Sequence, residues 1–280
     1  MKKMGIKEKI RRVFKVINSK QIIAVPQFVD SNKMLHGKTV LITGGSGGIG
    51  FEIARKCIQS GAKVIITGTN KNKLQECVGK LDSKEVKYMV FDLNDVSSFE
   101  SKVKEAAAAF EENVIDVLVN CAGINPKKNF FDTQEKDFDL TMDINVKGTF
   151  FISQVVANYM IKNKVKGHIL NLSSSSALRP AWSPYEMSKW TIRGFTKGLA
   201  DILIPYGIIV NAIAPGPTAT PMLGMNSEDD LDLQNNPSKR YATPEEIANL
   251  AVMLISDMGN LVVGDTLYAT GGSGVITLHN

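Results

Sequence analysis

The residues of this chain best suited to chemistry lie between positions 145 and 189. Tyr185 and Lys189 stand four apart in Tyr185-Glu186-Met187-Ser188-Lys189. The stretch is patterned as a helix, so both side chains fall on one face. An ammonium beside a phenol favours the phenolate and lowers the phenol's pKa. That moves a tyrosine toward the range in which it can exchange protons near neutral pH. An ordinary surface pair would have the same spacing. Upstream, Ser173-Ser174-Ser175-Ser176 follows an apolar strand. A hydroxyl there could hold a substrate carbonyl, and a plain polar loop would look the same. Asn145 follows Met142-Asp143-Ile144 on a long helical stretch, where an asparagine can equally be a cap or a solvated polar residue.

The sequence also has a place that could hold a nucleotide. Thr39-Val40-Leu41-Ile42 runs into Thr43-Gly44-Gly45-Ser46-Gly47-Gly48-Ile49-Gly50 and then into a helix-like stretch from Ile49 to Gln59. Gly45, Gly47 and Gly50 match GxGxxG, while Gly44, Gly48 and Gly50 match TGxxxGxG. Glycines let the backbone approach a pyrophosphate closely, and the helix N-terminus supplies free N–H groups. A lone glycine pattern is weak. This one follows a strand, precedes a helix and opens the first βα unit, which is the context that strengthens it.

The next strand bears on which nucleotide is held. NAD enzymes of this architecture place an acid near its end to bond the ribose 2′-OH. Here that stretch is Thr67-Gly68-Thr69-Asn70-Lys71-Asn72-Lys73, with no acid and two lysines. A 2′-phosphate would meet no repulsion there, and hydroxyls or lysines could contact it. NADP(H) is therefore expected ahead of NAD(H). No arginine stands at the usual place, Gly47 is not basic, and the two lysines could equally be a solvated helix start.

These side chains need a scaffold, and the periodicity supplies one. Strand candidates are Thr39–Ile42, Val64–Ile66, Tyr88–Phe91, Val114–Asn120, His168–Leu172, Ile208–Ile213 and Thr266–Ala269. Most are continuously apolar rather than alternating, as strands buried on both faces are. Helical stretches separate them: Ile49–Gln59, a segment after the second strand, Ser97–Phe110, about Gln134–Asn163, Pro184–Leu203 and Pro244–Ser256. Strands alternating with helices of this length imply βαβ crossovers. The expected fold is α/β: a doubly wound, mostly parallel Rossmann-type sheet over residues 37–280, in one domain. Residues 1–36 form an extension with a helical pattern at Ile6, Ile10, Val13, Phe14 and Ile17.

Composition excludes several alternatives. Residues 1–20 hold eight Lys/Arg and one acid, +7 of the formal net charge of +5, so the other residues carry −2. The body is not basic, and nucleic-acid binding is not expected. Three cysteines with no CxxC pair fit a reducing, cytoplasmic setting. His36, His168 and His279 are scattered, so no metal site is expected. No apolar run is long enough to span a bilayer.

Taken together, these elements identify a resemblance. From about residue 37 to 274 the chain resembles the short-chain dehydrogenase/reductase family. The matching elements occur in the family's order: Thr43-Gly44 with Gly48-Ile49-Gly50; Asp92-Leu93; Asn120-Cys121-Ala122-Gly123; Asn145; Ser174; Tyr185 with Lys189; Asn211; and Pro215-Gly216 with Thr218. The resemblance implies an NADP(H)-dependent oxidoreductase that moves a hydride to or from a carbonyl or alcohol carbon. Tyr185 would be the acid/base. Lys189 would depress its pKa and bond the nicotinamide ribose, Ser174 would hold the carbonyl oxygen, and Asn145 would support a water-linked proton relay through Lys189. Gly44, Ser46, Gly48, Ile49, Gly50, Thr69, Asn70, Asp92, Leu93, Asn120, Ala122, Gly123, Pro215, Gly216 and Thr218 would complete the cofactor site, with Asp92 at the adenine, Asn120 in the groove and Thr218 on the carboxamide. Cys121 stands where the family commonly has asparagine. Ser174 lies eleven residues before Tyr185, and Ser173 and Ser175 compete for its role.

The family resemblance extends to substrate and assembly. Residues 217–239 would close over a small carbonyl or alcohol substrate, with Met222, Leu223 and Met225 as an apolar wall and Asp229, Asp230 and Asp232 solvated. Arg179, Pro180 and Trp182 could face the substrate or pack on the surface. The pattern is similar to 3-oxoacyl-acyl-carrier-protein reductases, but Pro205-Tyr206-Gly207 lacks the arginine that would meet an acidic carrier. The glycine-rich end Thr270–Gly274 implies a homotetramer or dimer. The basic N-terminal segment could lie on an anionic membrane; docking or disorder is favoured over that contact. The reading from a different class is a non-catalytic NADP(H)-sensing binding protein on the same fold, against which stands the complete set Asn145, Ser174, Tyr185 and Lys189.

Overall fold

The computed structural model describes residues 33–225 and 229–277. The N-terminal segment, with its expected amphipathic helix, lies outside the described residues up to position 32. Seven strands form one sheet: β1 (Thr39–Thr43), β2 (Lys63–Gly68), β3 (Val86–Val90), β4 (Val117–Asn120), β5 (His168–Leu172), β6 (Ile209–Pro215) and β7 (Thr266–Ala269). Their order is β3-β2-β1-β4-β5-β6-β7, and every neighbouring pair is parallel. The helices are α1 (Gly48–Gln59), α2 (Lys71–Leu81), α3 (Phe99–Ala107), α4 (Glu135–Met142), α5 (Thr149–Lys162), α6 (Pro184–Leu203) and α7 (Pro244–Ile255). This is the doubly wound Rossmann-type architecture expected from the alternation of apolar runs and helical stretches.

Burial of successive strand residues on opposite faces explains the two-layer cover. Val40, Ile42, Val64, Ile66, Val117 and Val119 face one side, where Ile53 of α1, Leu74 of α2 and Ile247 and Val252 of α7 pack on them. Leu41, Ile65 and Leu118 face the other, against Phe99 of α3, Ile152 and Val156 of α5 and Leu199 of α6. Leu35, which the sequence assigns to the extension, is fully buried in the first of these layers, and its N–H bonds Ser60 O at 2.9 Å.

The helix starts follow local chemistry. Ser183 and Glu186 form a capping box at the start of α6, and Thr243 and Glu246 form one at α7, each with proline at the first helical turn. The long helical stretch expected at 134–163 contains a departure. Between α4 and α5, residues Asp143–Gly148 form a π-helical segment. Tertiary contacts impose it: Asn145 is buried, and Gly148 packs so closely on Leu93 that a Cβ would lie 2.8 Å from the leucine Cβ. The stretch expected as a helix from Ser97 to Phe110 is shorter, a 3-10 turn Val96–Ser98 followed by α3 ending at Ala107. The good helix formers Ala108 and Ala109 give way because the chain must turn into β4.

His168, at the start of β5, is buried, and desolvation pulls its pKa down to about 4. An unfolded imidazole titrates near 6.5, so between these values the unfolded chain binds the extra proton. The stabilising effect of keeping it neutral is present above about pH 6.5 and is lost as the pH falls toward 4, on the order of 3 kcal/mol in all. Urea midpoints at about pH 7 and pH 4.5 should therefore separate more in the native chain than in His168→Gln. Equal acid losses in both would assign the sensitivity to carboxylates instead.

Candidate active site

The strand order reverses between β1 and β4, and in such sheets a crevice opens beyond the carboxyl ends of the strands at that point. The glycine turn sits there. Gly44 and Gly48 have φ of +68° and +53°, which selects the Thr43-Gly44…Gly48-Ile49-Gly50 register over the other one. A Cβ on Gly44 would stand 2.7 Å from Ala122 Cα, and one on Gly50 would stand 2.4 Å from Gly44 O. The turn is thus folded onto its own helix and onto the end of β4. Thr43 Oγ1 ties the same two ends, accepting from the N–H groups of Cys121 at 3.2 Å and Ala122 at 3.3 Å.

The start of α6 delivers the reactive groups. Tyr185 is half-buried, and its phenol lies beside the Ser174 hydroxyl, which holds its pKa down in part. Ser174 Oγ also accepts from Ser176 N–H at 3.1 Å. The competing serines are held elsewhere: Ser173 is buried and donates to Lys189 O at 3.0 Å, and Ser175 is buried in the 3-10 turn Ser175–Leu178. Lys189 is buried, with Nζ 5.6 Å from the Tyr185 ring centroid and donating to Leu172 O at 2.9 Å. Burial lowers its pKa to about 8.

One electrostatic expectation is corrected. Lys189 was expected to depress the Tyr185 pKa. Burial raises it instead, only partly offset by the neighbouring Ser174 hydroxyl, and Glu186 raises it further. Lys189 is not among the groups that set the Tyr185 pKa, while one of its N–H groups donates to Leu172 O.

A cleft of about 790 Å³ joins these parts. It is lined by Gly44, Ser46, Gly48, Ile49, Thr69, Asp92, Leu93, Ala122, Gly123, Ser174, Tyr185, Lys189, Pro215, Gly216 and Thr218 of the expected residues. Four others stand behind the wall. Gly50 makes the close approach just described. Asn70 caps α2, its Oδ1 accepting from Lys73 N–H at 3.0 Å. Asn120, expected in the groove, is buried and donates to Ser153 Oγ at 2.8 Å and Asn171 Oδ1 at 2.9 Å, joining β4 to β5 and α5. Asn145 Oδ1 accepts from Ile124 N–H at 2.9 Å, while its Nδ2 donates to Ile124 O and Ser188 Oγ, both at 3.0 Å. It is a clasp between the β4 loop, the π segment and α6.

The cleft also has walls that the residue pattern did not single out. Ile124 and Asn125 come from the β4 loop, Thr220 from the β6 exit, and Leu233 and Tyr241 from the covering segment, along with the expected Met222 and Leu223. Tyr241 stands two residues before the Thr243 cap, and an aromatic beside that cap was the signal available for it. Of the three residues before Tyr185 weighed for the substrate side, all are exposed, and Arg179 lines the cleft whereas Pro180 and Trp182 do not. The bare glycine turn, the cleft running from Thr69 and Asp92 to Tyr185, and the absence of any side chain on Gly44 and Gly48 fit a dinucleotide.

Comparisons with known proteins agree with this geometry. The family model described as short chain dehydrogenase matches residues 38–231. Among relatives, an acetoacetyl-CoA reductase of Acinetobacter sp. is 37% identical over 249 residues, covering 85% of this chain and 98% of the relative. Among solved structures, a gluconate 5-dehydrogenase from Burkholderia cenocepacia, in complex with NADP and tartrate, has a TM-score of 0.79 at 29% identity, covering 88% of this chain and 99% of the other. A 3-ketoacyl-(acyl-carrier-protein) reductase from Brucella melitensis, complexed with NADH, has a TM-score of 0.78 at 28% identity, covering 86% and 99%. Among the described residues, no helix is long and apolar enough to cross a membrane.

Proposed function

Because the chain belongs to the short-chain dehydrogenase family of nicotinamide-dependent oxidoreductases, we propose that it moves a hydride between NADP(H) and the carbonyl or alcohol carbon of a small molecule, with Tyr185 as the acid/base. The observation that carries this reading is that Ser174, Tyr185 and the buried Lys189 line one cleft together with a bare glycine turn, with the Lys189 ammonium 5.6 Å from the Tyr185 ring centroid. When bound, the nicotinamide supplies or accepts the hydride.

The chain's own residues account for the rest. Ser174 orients the carbonyl oxygen beside the phenol, and Tyr185 gives its proton to that oxygen in reduction or takes it from the alcohol in oxidation. Lys189, held by Leu172 O, places a positive charge beneath the reacting groups. Asn145 is a positioning residue: it fixes Ile124 and Ser188, and through them the loop and the helix that face each other across the site. The assembly of all four supports turnover over nucleotide sensing. Gly44, Gly48 and Ile49 cradle the pyrophosphate, Asp92 and Leu93 meet the adenine, and Gly216 and Thr218 meet the carboxamide. Exposed Phe138, Leu140 and Phe150 on α4 and α5 support a homo-oligomer.

NADP(H) over NAD(H) is supported by charge. Lys73 lines the cleft, and its Nζ lies 3.2 Å from where a Gly47 Cβ would stand. An ammonium from α2 thus occupies the space that a basic side chain on the glycine turn would fill, next to Thr69 and with no acid nearby in the 67–73 stretch. The test is oxidation of NADPH and NADH over a panel of ketones. We expect NADPH to be preferred, and Lys73→Ala to raise KM for NADPH about tenfold or more while leaving that for NADH within about twofold, since only one phosphate contact is lost. A preference for NADH in the native chain would overturn the cofactor assignment and leave the reaction type standing.

A further inference from the structure

The charged groups of the cleft divide by place. Lys73 and Asp92 flank the end assigned to the adenosine, and Lys189 lies beneath Tyr185. One further ionic side chain lines the cleft, Arg179, which lies between the Ser174–Leu178 turn and α6. No aspartate or glutamate among the described residues lines the cleft except Asp92. The substrate end therefore carries an arginine and no counter-charge of its own.

Arg179 is an exposed residue, yet both its backbone and its guanidinium are tied down. Its carbonyl accepts from Trp190 Nε1 at 2.9 Å, which pins the backbone to α6. Its Nη2 donates to the buried Ser273 hydroxyl, and its Nε lies 3.4 Å from where a Gly274 Cβ would stand. Glycine at 274 leaves the guanidinium room against the C-terminal turn. No carboxylate among the described residues pairs with Arg179. Ser273 engages one of five N–H donors, so the planar fork retains donors for an anion, and its geometry matches a carboxylate. The lining also has an apolar part, with Met222, Leu223 and Leu233, and includes Tyr241.

Building on the oxidoreductase reading above, we propose that the substrate carries its own carboxylate: this site handles oxo-acids and hydroxy-acids, with Arg179 as the specificity-determining residue that clamps the acid while Ser174 and Tyr185 take the carbonyl. A neutral ketone leaves the guanidinium to water with no carboxylate to pair it, so the discrimination comes from the acid group, not from the reacting carbon.

The experiment compares straight-chain oxo-hexanoates, with the ketone at C2, C3, C4 or C5, against their methyl esters, in the native chain and in Arg179→Met, which keeps the apolar stem. Acetoacetyl-CoA forms a further arm, and calorimetric titration with the matching hydroxy-acids and hydroxy-esters is run in parallel. At the best chain length kcat/KM for the acid should exceed that for the ester about tenfold or more, and Arg179→Met should abolish that ratio by lowering the acid alone. Arg179→Lys should restore it in part. Esters turned over as well as acids, or a variant that lowers both equally, would overturn the proposal while the oxidoreductase reading stands. So would an Arg179→Met defect confined to acetoacetyl-CoA, since the arginine would then serve the phosphates of the carrier. Arginine-dependent binding of a hydroxy-acid, with no turnover of acid or ester by either nucleotide, would uphold the carboxylate site and sink the oxidoreductase reading. Neither binding nor turnover would sink both.

Discussion

Replacing Tyr185 with phenylalanine should lower kcat/KM about a thousandfold while leaving nucleotide affinity within about twofold, because the ring stays and only the proton donor goes. The phenol is the titratable group beside the Ser174 hydroxyl, and its ring lies near the Lys189 ammonium. The pH profile carries a second, signed expectation. Burial holds the Tyr185 pKa above its ordinary value. Reduction needs the protonated phenol, so its kcat/KM should stay level through neutral pH and fall only in the alkaline range. Oxidation needs the phenolate, so its kcat/KM should climb about tenfold per pH unit as the solution is made alkaline. Both slopes should vanish from the residual activity of Tyr185→Phe. Retention of more than about a tenth of the activity, with the slopes intact, would place the proton transfer on another group.

Gly50→Ala should weaken NADPH binding about tenfold or more, close to 1.4 kcal/mol, and lower the melting temperature. Two effects oppose each other here. Alanine inside a helix is about 1 kcal/mol more favourable than glycine, so α1 taken alone would gain. The added methyl, however, would stand 2.4 Å from Gly44 O, 3.0 Å from Gly44 C and 3.2 Å from Cys121 Sγ. Two of those atoms are backbone and cannot turn aside. Forcing a methyl into a packed site costs roughly 1–3 kcal/mol, so the clash exceeds the propensity gain. The relief available is for the turn to open away from α1, which moves the cradle. Fluorescence titration with NADPH and a thermal melt would check this. A higher melting temperature with unchanged affinity would mean that the turn yields freely and that its geometry does not hold the nucleotide.

Much of this molecule is legible in its linear order. The strands at Thr39, His168 and Thr266 and the helix Pro184–Leu203 are local: apolar runs, a proline at the first turn and a capping box specify them without reference to distant residues. The spacing of Tyr185 and Lys189 is likewise set by helix geometry alone, and Thr43–Gly50 shows its purpose by standing between a strand and a helix. What the order of residues could not decide is set by contacts far along the chain. Which of four adjacent serines faces Tyr185 depends on Ser173 being claimed by the Lys189 carbonyl. Asn120 reads as a groove residue and Asn145 as a support for a proton relay, but both are turned into buried hydrogen bonds, with Ser153 and Asn171 and with Ile124 and Ser188 respectively, because an amide taken out of water must find partners. The π segment around Asn145 follows from the same demand. The direction of the Tyr185 pKa was misjudged from spacing for a related reason: an i, i+4 lysine is a neighbour on paper, yet burial dominates, and only the tertiary structure says how much water each group has lost. Local order thus determined which groups are present and on which elements they ride. Packing decided which of them meet and in what protonation state, since desolvation and long-range hydrogen bonding are properties of the folded chain and of no segment within it.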